Sequence, residues 1–266
     1  MKRGICFFDL DGTILISKED VVPQSALRGL AELKENGYVV CLSTGRDMDT
    51  HYSRKYVDIV KPDAIIHHNG VKITIGGELI FEHFMDKSLL RKAFDYAKEN
   101  GLCLGTSVGD HDYFTLPKVK TAADLMYKKE SKRNYRDPEY LFTENIPVSA
   151  LSFAGADLSE VKDQIEKDLP EFSLFLFDSA TGADCVEKGF SKADGMKRVC
   201  DYYGVPMEKT YAFGDSENDI PMLLLASAGV AMGNAREAVK KAADYVTNDI
   251  KEDGIYVALR ALSLIG

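Results

Sequence analysis

Two aspartates near the N-terminus, Asp9 and Asp11, constrain the fold and chemistry of this 266-residue chain more than any other feature. They follow an apolar run from Gly4 to Phe8, and Gly12 interrupts that run. The pattern predicts a buried parallel strand with both carboxylates at its carboxyl end, where open α/β sheets carry their sites. Residues two apart on a strand point the same way, so the carboxylates repel unless a shared proton or a divalent cation lies between them. Oxygen ligands favour Mg²⁺, although a Ca²⁺ loop or a solvated turn also fits this short motif alone.

Three further segments place polar side chains at predicted strand ends or at a helix start. The apolar run 38–42 ends in Ser43-Thr44-Gly45-Arg46, whose hydroxyl and backbone N–H groups are typical of an anion site. Lys192 lies just inside a predicted helix, and the apolar run 211–213 leads into a second acidic segment, 214–219. Together the four segments supply carboxylates, a hydroxyl and a lysine, which are the groups that phosphoryl transfer requires.

In this order, the four segments resemble the motifs of the haloacid dehalogenase (HAD) superfamily of aspartate-nucleophile phosphotransferases, and within it the Cof-like sugar-phosphate phosphatases. The DxDGT motif is complete at 9–13, the Thr-Gly-Arg motif at 44–46, and the GDxxND motif at 214–219, while Lys192 is the expected lysine. Asn69-Gly70 also resembles a strand-end signature of the family, but a type I′ turn explains it equally well. The resemblance implies an α/β fold with a Rossmann-like parallel sheet core and an inserted α+β cap domain.

The resemblance and the needs of phosphoryl transfer together suggest a role for each motif residue. Asp9 is expected to be the nucleophile, and Asp11 the general acid and base. The metal ligands are expected to be Asp9, Asp215 and the backbone carbonyl of Asp11, with Asp219 orienting Lys192 or a metal-bound water. The groups expected to contact the phosphoryl group are the N–H of Leu10, Thr44, Gly45, Lys192 and Asn218. Arg46 is expected either to reach the substrate or to form a structural ion pair.

The domain boundaries follow from where the motifs stop. Residues 1–82 and 185–266 carry all of them and form the predicted catalytic core, whereas residues 83–184 form the predicted cap. The cap sequence predicts an α+β module with a largely antiparallel sheet, suited to cover one face of the core. Its weak candidates for substrate specificity are the polar run Asp110, His111, Asp112 and Tyr113, which also fits an ordinary turn.

Composition narrows the setting. A net charge of −9 argues against a nucleic-acid partner. No apolar stretch approaches the roughly 18 residues of a membrane span, and no leader pattern precedes the first strand, so a cytoplasmic protein is expected. The five cysteines lack metal-site or disulfide spacing and are predicted to be buried free thiols. The oligomeric state is not predicted by any feature.

The preferred function is a Mg²⁺-dependent phosphatase of small phosphorylated metabolites, most simply sugar phosphates. Two alternatives stay open at this point. A phosphosugar mutase would use the same aspartyl-phosphate but return the group to the sugar, and a non-catalytic module would only bind phosphorylated metabolites. The intact set of Asp9, Asp11, Lys192 and Asp215 argues against the non-catalytic module.

Overall fold

The computed structural model describes residues 2–50, 52–109, 111–115, 134–154, 158–177 and 182–266. The chain divides into two compact units. The first comprises Met1–Met48, Lys55–Phe81 and Phe190–Gly266, and the second comprises Asp49–Arg54 and Glu82–Gly189. The second unit is thus mostly one long insertion into the first, with the short segment Asp49–Arg54 added to it.

The strands and helices alternate along most of the chain. The strands are β1 (Ile5–Phe8), β2 (Val39–Ser43), β3 (Ala64–His67), β4 (Lys72–Ile75), β5 (Glu78–Glu82), β6 (Cys103–Val108), β7 (His111–Phe114), β8 (Tyr135–Arg136), β9 (Leu151–Ala154), β10 (Phe172–Leu176), β11 (Gly182–Glu187), β12 (Thr210–Gly214), β13 (Ala228–Ala231) and β14 (Tyr245–Val246). The helices are α1 (Gln24–Glu35), α2 (Arg54–Val60), α3 (Lys87–Glu99), α4 (Tyr140–Thr143), α5 (Lys162–Asp168), α6 (Lys192–Tyr203), α7 (Ile220–Leu225), α8 (Glu237–Ala242) and α9 (Gly254–Ala261).

The first unit is built on an eight-stranded sheet in the order β14-β13-β12-β1-β2-β3-β4-β5. The strands from β14 to β3 run parallel, and β4 pairs antiparallel with β3. Because β1 lies between β2 and β12, the carboxyl ends of three consecutive parallel strands meet at one edge. This arrangement confirms the predicted α/β fold with a parallel sheet core.

Apolar side chains alternate between the two faces of this sheet and give it two cores. One contains Phe8 and Phe213, whose rings stack with centroids 4.6 Å apart, and the other contains Phe7. Helices α1 and α9 pack on the first core, and α6 and α7 on the second. Strands buried on both faces have continuous apolar sequences, which is why the sequence predicts β1, β2 and β12.

The insertion leaves and re-enters the first unit at two neighbouring aromatic residues. The rings of Phe81 and Phe190 lie 6.2 Å apart, and the Arg198 guanidinium lies 3.9 Å from the centre of the Phe81 ring. All three residues belong to the first unit.

The second unit contains a six-stranded sheet in the order β10-β11-β9-β6-β7-β8. All of its neighbouring pairs are antiparallel except β7 and β8. Its core includes Phe153 and Phe172 together with Leu90 of α3. Strand β11 crosses the predicted boundary at residue 184 and pairs with β9 and β10, so the compact unit extends to Gly189.

Two further properties concern the helices and the cysteines. Within the described residues, no helix is both long enough and apolar enough to cross a membrane. All five cysteines are buried free thiols, as predicted. Burial raises the pKa of the Cys200 thiol to about 11, so this group stays protonated at neutral pH.

Candidate active site

The two N-terminal aspartates lie where β1 gives way to a tight loop. The Asp9 N–H donates to the carbonyl of Phe213 (2.9 Å), which keeps Asp9 in line with the strand. The chain then folds back, and the N–H groups of Ile14 and Leu15 both donate to the Leu10 carbonyl (2.9 and 2.7 Å). Within this loop, Gly12 adopts a φ of 82°.

Only glycine fits at position 12 because of the neighbouring acidic loop. A Cβ at Gly12 would lie 2.2 Å from Oδ2 of Asp215, well inside van der Waals contact. The positive φ independently disfavours other residues. The glycine of the DxDGT motif therefore allows the loops after β1 and β12 to approach each other.

Lys192 is buried between two carboxylates. Ser191 caps α6, its hydroxyl accepting from the Asp194 N–H (3.2 Å), and Lys192 is the first residue of that helix. The residue is 1% exposed, and Nζ donates to Oδ1 of Asp9 and to Oδ1 of Asp219 (2.6 Å). Burial alone would lower the pKa of Lys192, but Asp219 and Asp9 more than reverse this and raise it above the usual value.

Asp219 and Asp215 use their oxygens differently. Oδ2 of Asp219 accepts from the N–H groups of Asp215 and Ser216 (2.9 Å each), so with Lys192 on Oδ1 both oxygens have protein donors. Oδ1 of Asp215 accepts from the Thr13 hydroxyl (3.2 Å). The two acids therefore have different hydrogen-bond partners. Asp219 binds its own loop and Lys192, whereas Asp215 binds Thr13 in the loop after β1.

The acids at this edge form a cluster suited to a cation. Asp9, Asp215 and Asp219 are all buried, and each offers an oxygen within 4.8 Å of the others. When ionised, they leave two negative charges uncompensated by Lys192. Burial raises the pKa of Asp9 to about 8; Lys192 opposes the rise, and Asp219 and Asp11 add to it. A divalent cation would supply the missing positive charge, so the residues present fit Mg²⁺.

Hydrogen-bond donors suited to an anion lie at the ends of β1 and β2. The Thr44 hydroxyl oxygen accepts from the Arg46 N–H (3.1 Å), which leaves its proton available for another acceptor. Within the described part of the chain, the N–H groups of Leu10 and Gly45 donate to no other group. Unpaired N–H groups at neighbouring strand ends are a common anion-binding arrangement.

Arg46 contacts a carboxylate in the structure. Its Nε and Nη2 donate to Oδ2 and Oδ1 of Asp11, at 2.6 Å each, and the Ser17 hydroxyl donates to the same Oδ1 (2.7 Å). The structure contains the ion pair, one of the two roles that the sequence leaves open for Arg46, and a substrate contact stays a prediction.

Asn218 and Asn69 lie together, a pairing that the sequence does not reveal. Asn218 Nδ2 donates to Oδ1 of Asn69 (2.9 Å). Asn69 lies in the connection between the antiparallel strands β3 and β4, which spans residues 68–71 because His67 pairs with Lys72. Asn69 (φ 54°, ψ 36°) and Gly70 (φ 103°) both have positive φ, and the Val71 N–H donates to the His68 carbonyl (3.4 Å), as expected for a type I′ turn at Asn69-Gly70.

The short connection after β3 also explains Gly70. His68, Asn69 and Gly70 all have positive φ, and a Cβ at Gly70 would lie 2.1 Å from the Ser191 carbonyl oxygen. The Asn-Gly pair thus lets the hairpin contact the start of α6. The sequence signal for Asn69 was present, but nothing in the sequence identified its partner.

The second unit carries the weak specificity candidates, and the structure buries two of them. Asp112 and Tyr113 are each 2% exposed, Asp112 accepting from the Ser107 hydroxyl and Tyr113 packing in the core of the unit. Their surroundings are those of structural residues. His111 is partly exposed on β7, and Asp110 lies outside the described residues.

All ten predicted site residues belong to the first unit. Hydrogen bonds directly connect Asp9, Lys192, Asp219 and Asp215 in one chain, and Asp11 with Arg46 in another. Leu10, Thr44 and Gly45 flank these groups at the same strand ends. Thr13, Ser17 and Asn69 also contribute hydrogen bonds here, although the sequence assigns no role to their side chains.

The chain matches the family model of haloacid dehalogenase-like hydrolases over residues 6–259. It therefore belongs to that family, and the predicted membership, with the Cof-like phosphatases as the group it resembles, is confirmed. The prediction of an enzyme of the phosphatase class is confirmed with it.

Particular relatives match over nearly the whole chain. The 5-amino-6-(5-phospho-D-ribitylamino)uracil phosphatase YitU of Bacillus subtilis (strain 168) is 30% identical over 274 residues, covering 96% of this chain and 95% of the relative. The phosphatase BT1666 of Bacteroides thetaiotaomicron has a similar structure, with a TM-score of 0.89, 28% identity and coverage of 99% and 96%. The HAD subclass IIB sugar phosphatase BT4131 gives a TM-score of 0.85 at 26% identity, covering 98% of this chain and all of that one.

Proposed function

We propose that the chain is a Mg²⁺-dependent phosphatase that hydrolyses small phosphorylated metabolites, sugar phosphates foremost, through an aspartyl-phosphate on Asp9. The observation that carries this proposal is the buried Lys192 held between Asp9 and Asp219 beside Asp215. A phosphate monoester dianion repels an anionic nucleophile, and this arrangement places positive charge next to that nucleophile. The sugar phosphatase among the structural relatives supports the substrate class.

The residues divide the reaction into two displacements. In the first, an oxygen of Asp9 attacks phosphorus, the bond from phosphorus to the leaving oxygen breaks, and that oxygen takes its electron pair and a proton from Asp11. In the second, water attacks the aspartyl-phosphate while Asp11 takes the water proton, and the Asp9 carboxylate leaves. The products are an alcohol and inorganic phosphate, and both aspartates return to their starting states.

The remaining groups bind and orient the phosphoryl group. The N–H groups of Leu10 and Gly45 and the Thr44 hydroxyl are the proposed donors to its oxygens, and Lys192 provides a fixed charge. Asn218, paired with Asn69, is the proposed further phosphate contact. Asp9, Asp215 and the Asp11 carbonyl are the proposed ligands of Mg²⁺, which when bound neutralises charge on the transferring group.

The proposal is tested by measuring inorganic phosphate release from a panel of sugar phosphates, nucleotides and cofactor phosphates, with and without Mg²⁺. We expect Mg²⁺-dependent release from some sugar phosphates and a phosphoryl adduct on the Asp9 peptide after acid quenching. Asp9→Asn is the matched control, since the amide is nearly isosteric but cannot attack phosphorus. Isomerisation that needs a bisphosphate primer, without phosphate release, would identify a mutase instead.

A further inference from the structure

Both carboxylate oxygens of Asp11 accept hydrogen bonds from the side chains of Arg46 and Ser17. Nε of Arg46 donates to Oδ2, and Nη2 donates to Oδ1, at 2.6 Å each. The Ser17 hydroxyl adds a third bond, 2.7 Å long, to Oδ1. A planar guanidinium facing a carboxylate with two parallel bonds fixes the orientation of that carboxylate more firmly than a single bond does.

Arg46 is itself held in place from two sides. Its backbone N–H donates to the Thr44 hydroxyl (3.1 Å), and its guanidinium lies 5.4 Å from the centre of the Tyr56 ring. Tyr56 is 5% exposed, and its hydroxyl donates to Asp20. Arg46 therefore has a defined position without substrate, and so does the Asp11 carboxylate that it binds.

We infer that Arg46 is a positioning residue that acts through Asp11, holding the proton-transferring carboxylate in the orientation used by both displacements. It is not a ligand of the phosphoryl group. This inference rests on the proposed function. Two of the three guanidinium nitrogens of Arg46 are directed at Asp11, and the Leu10 and Gly45 N–H groups, the Thr44 hydroxyl and Lys192 already provide donors for a phosphate.

If Arg46 acts through Asp11, the effect of replacing Arg46 on kcat depends on the leaving group of the substrate. An alkoxide needs a proton as it departs, whereas the phenolate of p-nitrophenyl phosphate leaves readily without one. We therefore expect Arg46→Met to lower kcat for an alkyl phosphate by about 10²-fold, the lower end of what general acid catalysis contributes, and for p-nitrophenyl phosphate by less than about tenfold. Inhibition by inorganic phosphate should be nearly unchanged.

Two comparisons separate positioning from phosphate binding. Arg46→Lys keeps the charge but lacks the planar fork, so it should behave like Arg46→Met if the fork matters. In an Asp11→Asn background, adding Arg46→Met should lower kcat by less than about a further threefold, because a residue that acts through Asp11 loses its effect when Asp11 is already disabled.

Arg28→Met is the matched control. Arg28 also pairs with a carboxylate (Glu32, 2.8 Å) and lies 5.1 Å from a tyrosine ring, but away from the site, so kinetics should be unchanged.

A nuclear magnetic resonance measurement tests the ion pair independently of activity. The Arg46 Nε–H should give a slowly exchanging, downfield signal in the wild type that is lost in Asp11→Asn. Absence of that signal in the wild type would overturn the inference. So would equal losses on alkyl and aryl esters combined with weaker inhibition by phosphate, or full additivity with Asp11→Asn. A wild type that hydrolyses no ester in the series would instead overturn the proposed function, and with it any role of Arg46 in proton transfer.

Discussion

At the scale of single residues, the most consequential group is the buried carboxyl of Asp9. Its raised pKa means that, without metal, the folded protein binds this proton more tightly than the unfolded chain does. The resulting contribution to the free energy of unfolding is fully present below pH of about 4 and is lost as pH rises through about 8.

We therefore predict that metal-free wild type loses thermal stability between pH 5 and 8 relative to Asp9→Asn, which has no such group to ionise. Adding Mg²⁺ at pH 8 should raise the melting temperature of the wild type more than that of the variant, because a cation that binds the folded state stabilises it. Melting curves of both proteins across this pH range, in EDTA and in Mg²⁺, provide the check. Parallel curves in EDTA would show that Asp9 is ionised at little cost.

Substitutions of the two acids in the loop after β12, Asp215 and Asp219, should have different kinetic effects. Asp215 is a proposed metal ligand, whereas both oxygens of Asp219 already have protein donors. Asp215→Asn should therefore raise the Mg²⁺ concentration needed for half-maximal activity by about tenfold or more. Asp219→Asn should mainly lower kcat by misplacing Lys192. The check is to measure the activity of both variants as a function of Mg²⁺ concentration. A larger change in Mg²⁺ requirement for Asp219→Asn than for Asp215→Asn would mean that Asp219 is the metal ligand.

At the scale of secondary-structure elements, the start of α6 matters because its first residue is Lys192. Ser191→Ala removes the cap and should destabilise the protein by about 1 kcal/mol. It should also lower kcat, since fraying of the first turn moves the lysine relative to Asp9. The control is Asp86→Ala, which removes the cap of α3 in the second unit, where the Asp86 carboxylate accepts from the Ser88 N–H (2.8 Å).

We expect the Asp86 variant to show a comparable loss of stability with unchanged kcat. Urea denaturation gives the stability of both variants, and steady-state kinetics at a temperature where both are folded gives kcat. Equal kcat in the two variants would mean that α6 holds Lys192 without help from its cap.

Element-level prediction succeeded where a strand is buried on both faces and ends in a chemical motif. The carboxyl ends of parallel strands share one edge, so the order of motifs was enough to bring Asp9, Thr44 and Asp215 to the same edge. Strand β11 lacks such a pattern because Gly182, Asp184 and Glu187 interrupt its apolar residues, and it is recognisable only from its partners β9 and β10. Side-chain pairings such as Arg46 with Asp11, or Asn218 with Asn69, depend on contacts across the fold that no local pattern encodes.

At the scale of the whole molecule, all the proposed chemistry belongs to the first unit. The groups there meet only a phosphoryl group and a metal ion, which every phosphate monoester substrate shares, so they cannot distinguish one leaving group from another. We propose that the predicted cap, residues 83–184, decides which phosphates react. In the structure, the compact unit that contains it runs from Glu82 to Gly189.

Replacing residues 82–189 with the corresponding segment of a related phosphatase should change the order of preferred substrates. A small aryl phosphate should still be hydrolysed, because its reaction needs only the first unit. Relative kcat/KM values over a sugar phosphate panel are the measurement, and p-nitrophenyl phosphate turnover is the control for an intact core. A folded, active chimera with the original preferences would place specificity in the first unit.

The contact between Phe81 and Phe190 has a consequence for how this architecture diversifies. Because the first unit holds both ends of the insertion side by side, an inserted segment of almost any length closes a loop whose ends are already fixed, and loop length adds little entropic cost. New segments can therefore be accepted at this point without redesign of the catalytic sheet. Phe81, Phe190 and Arg198 thus form a fixed junction at which one inserted segment can be replaced by another during evolution. Exchange at this junction would let the same catalytic sheet serve enzymes with different substrates.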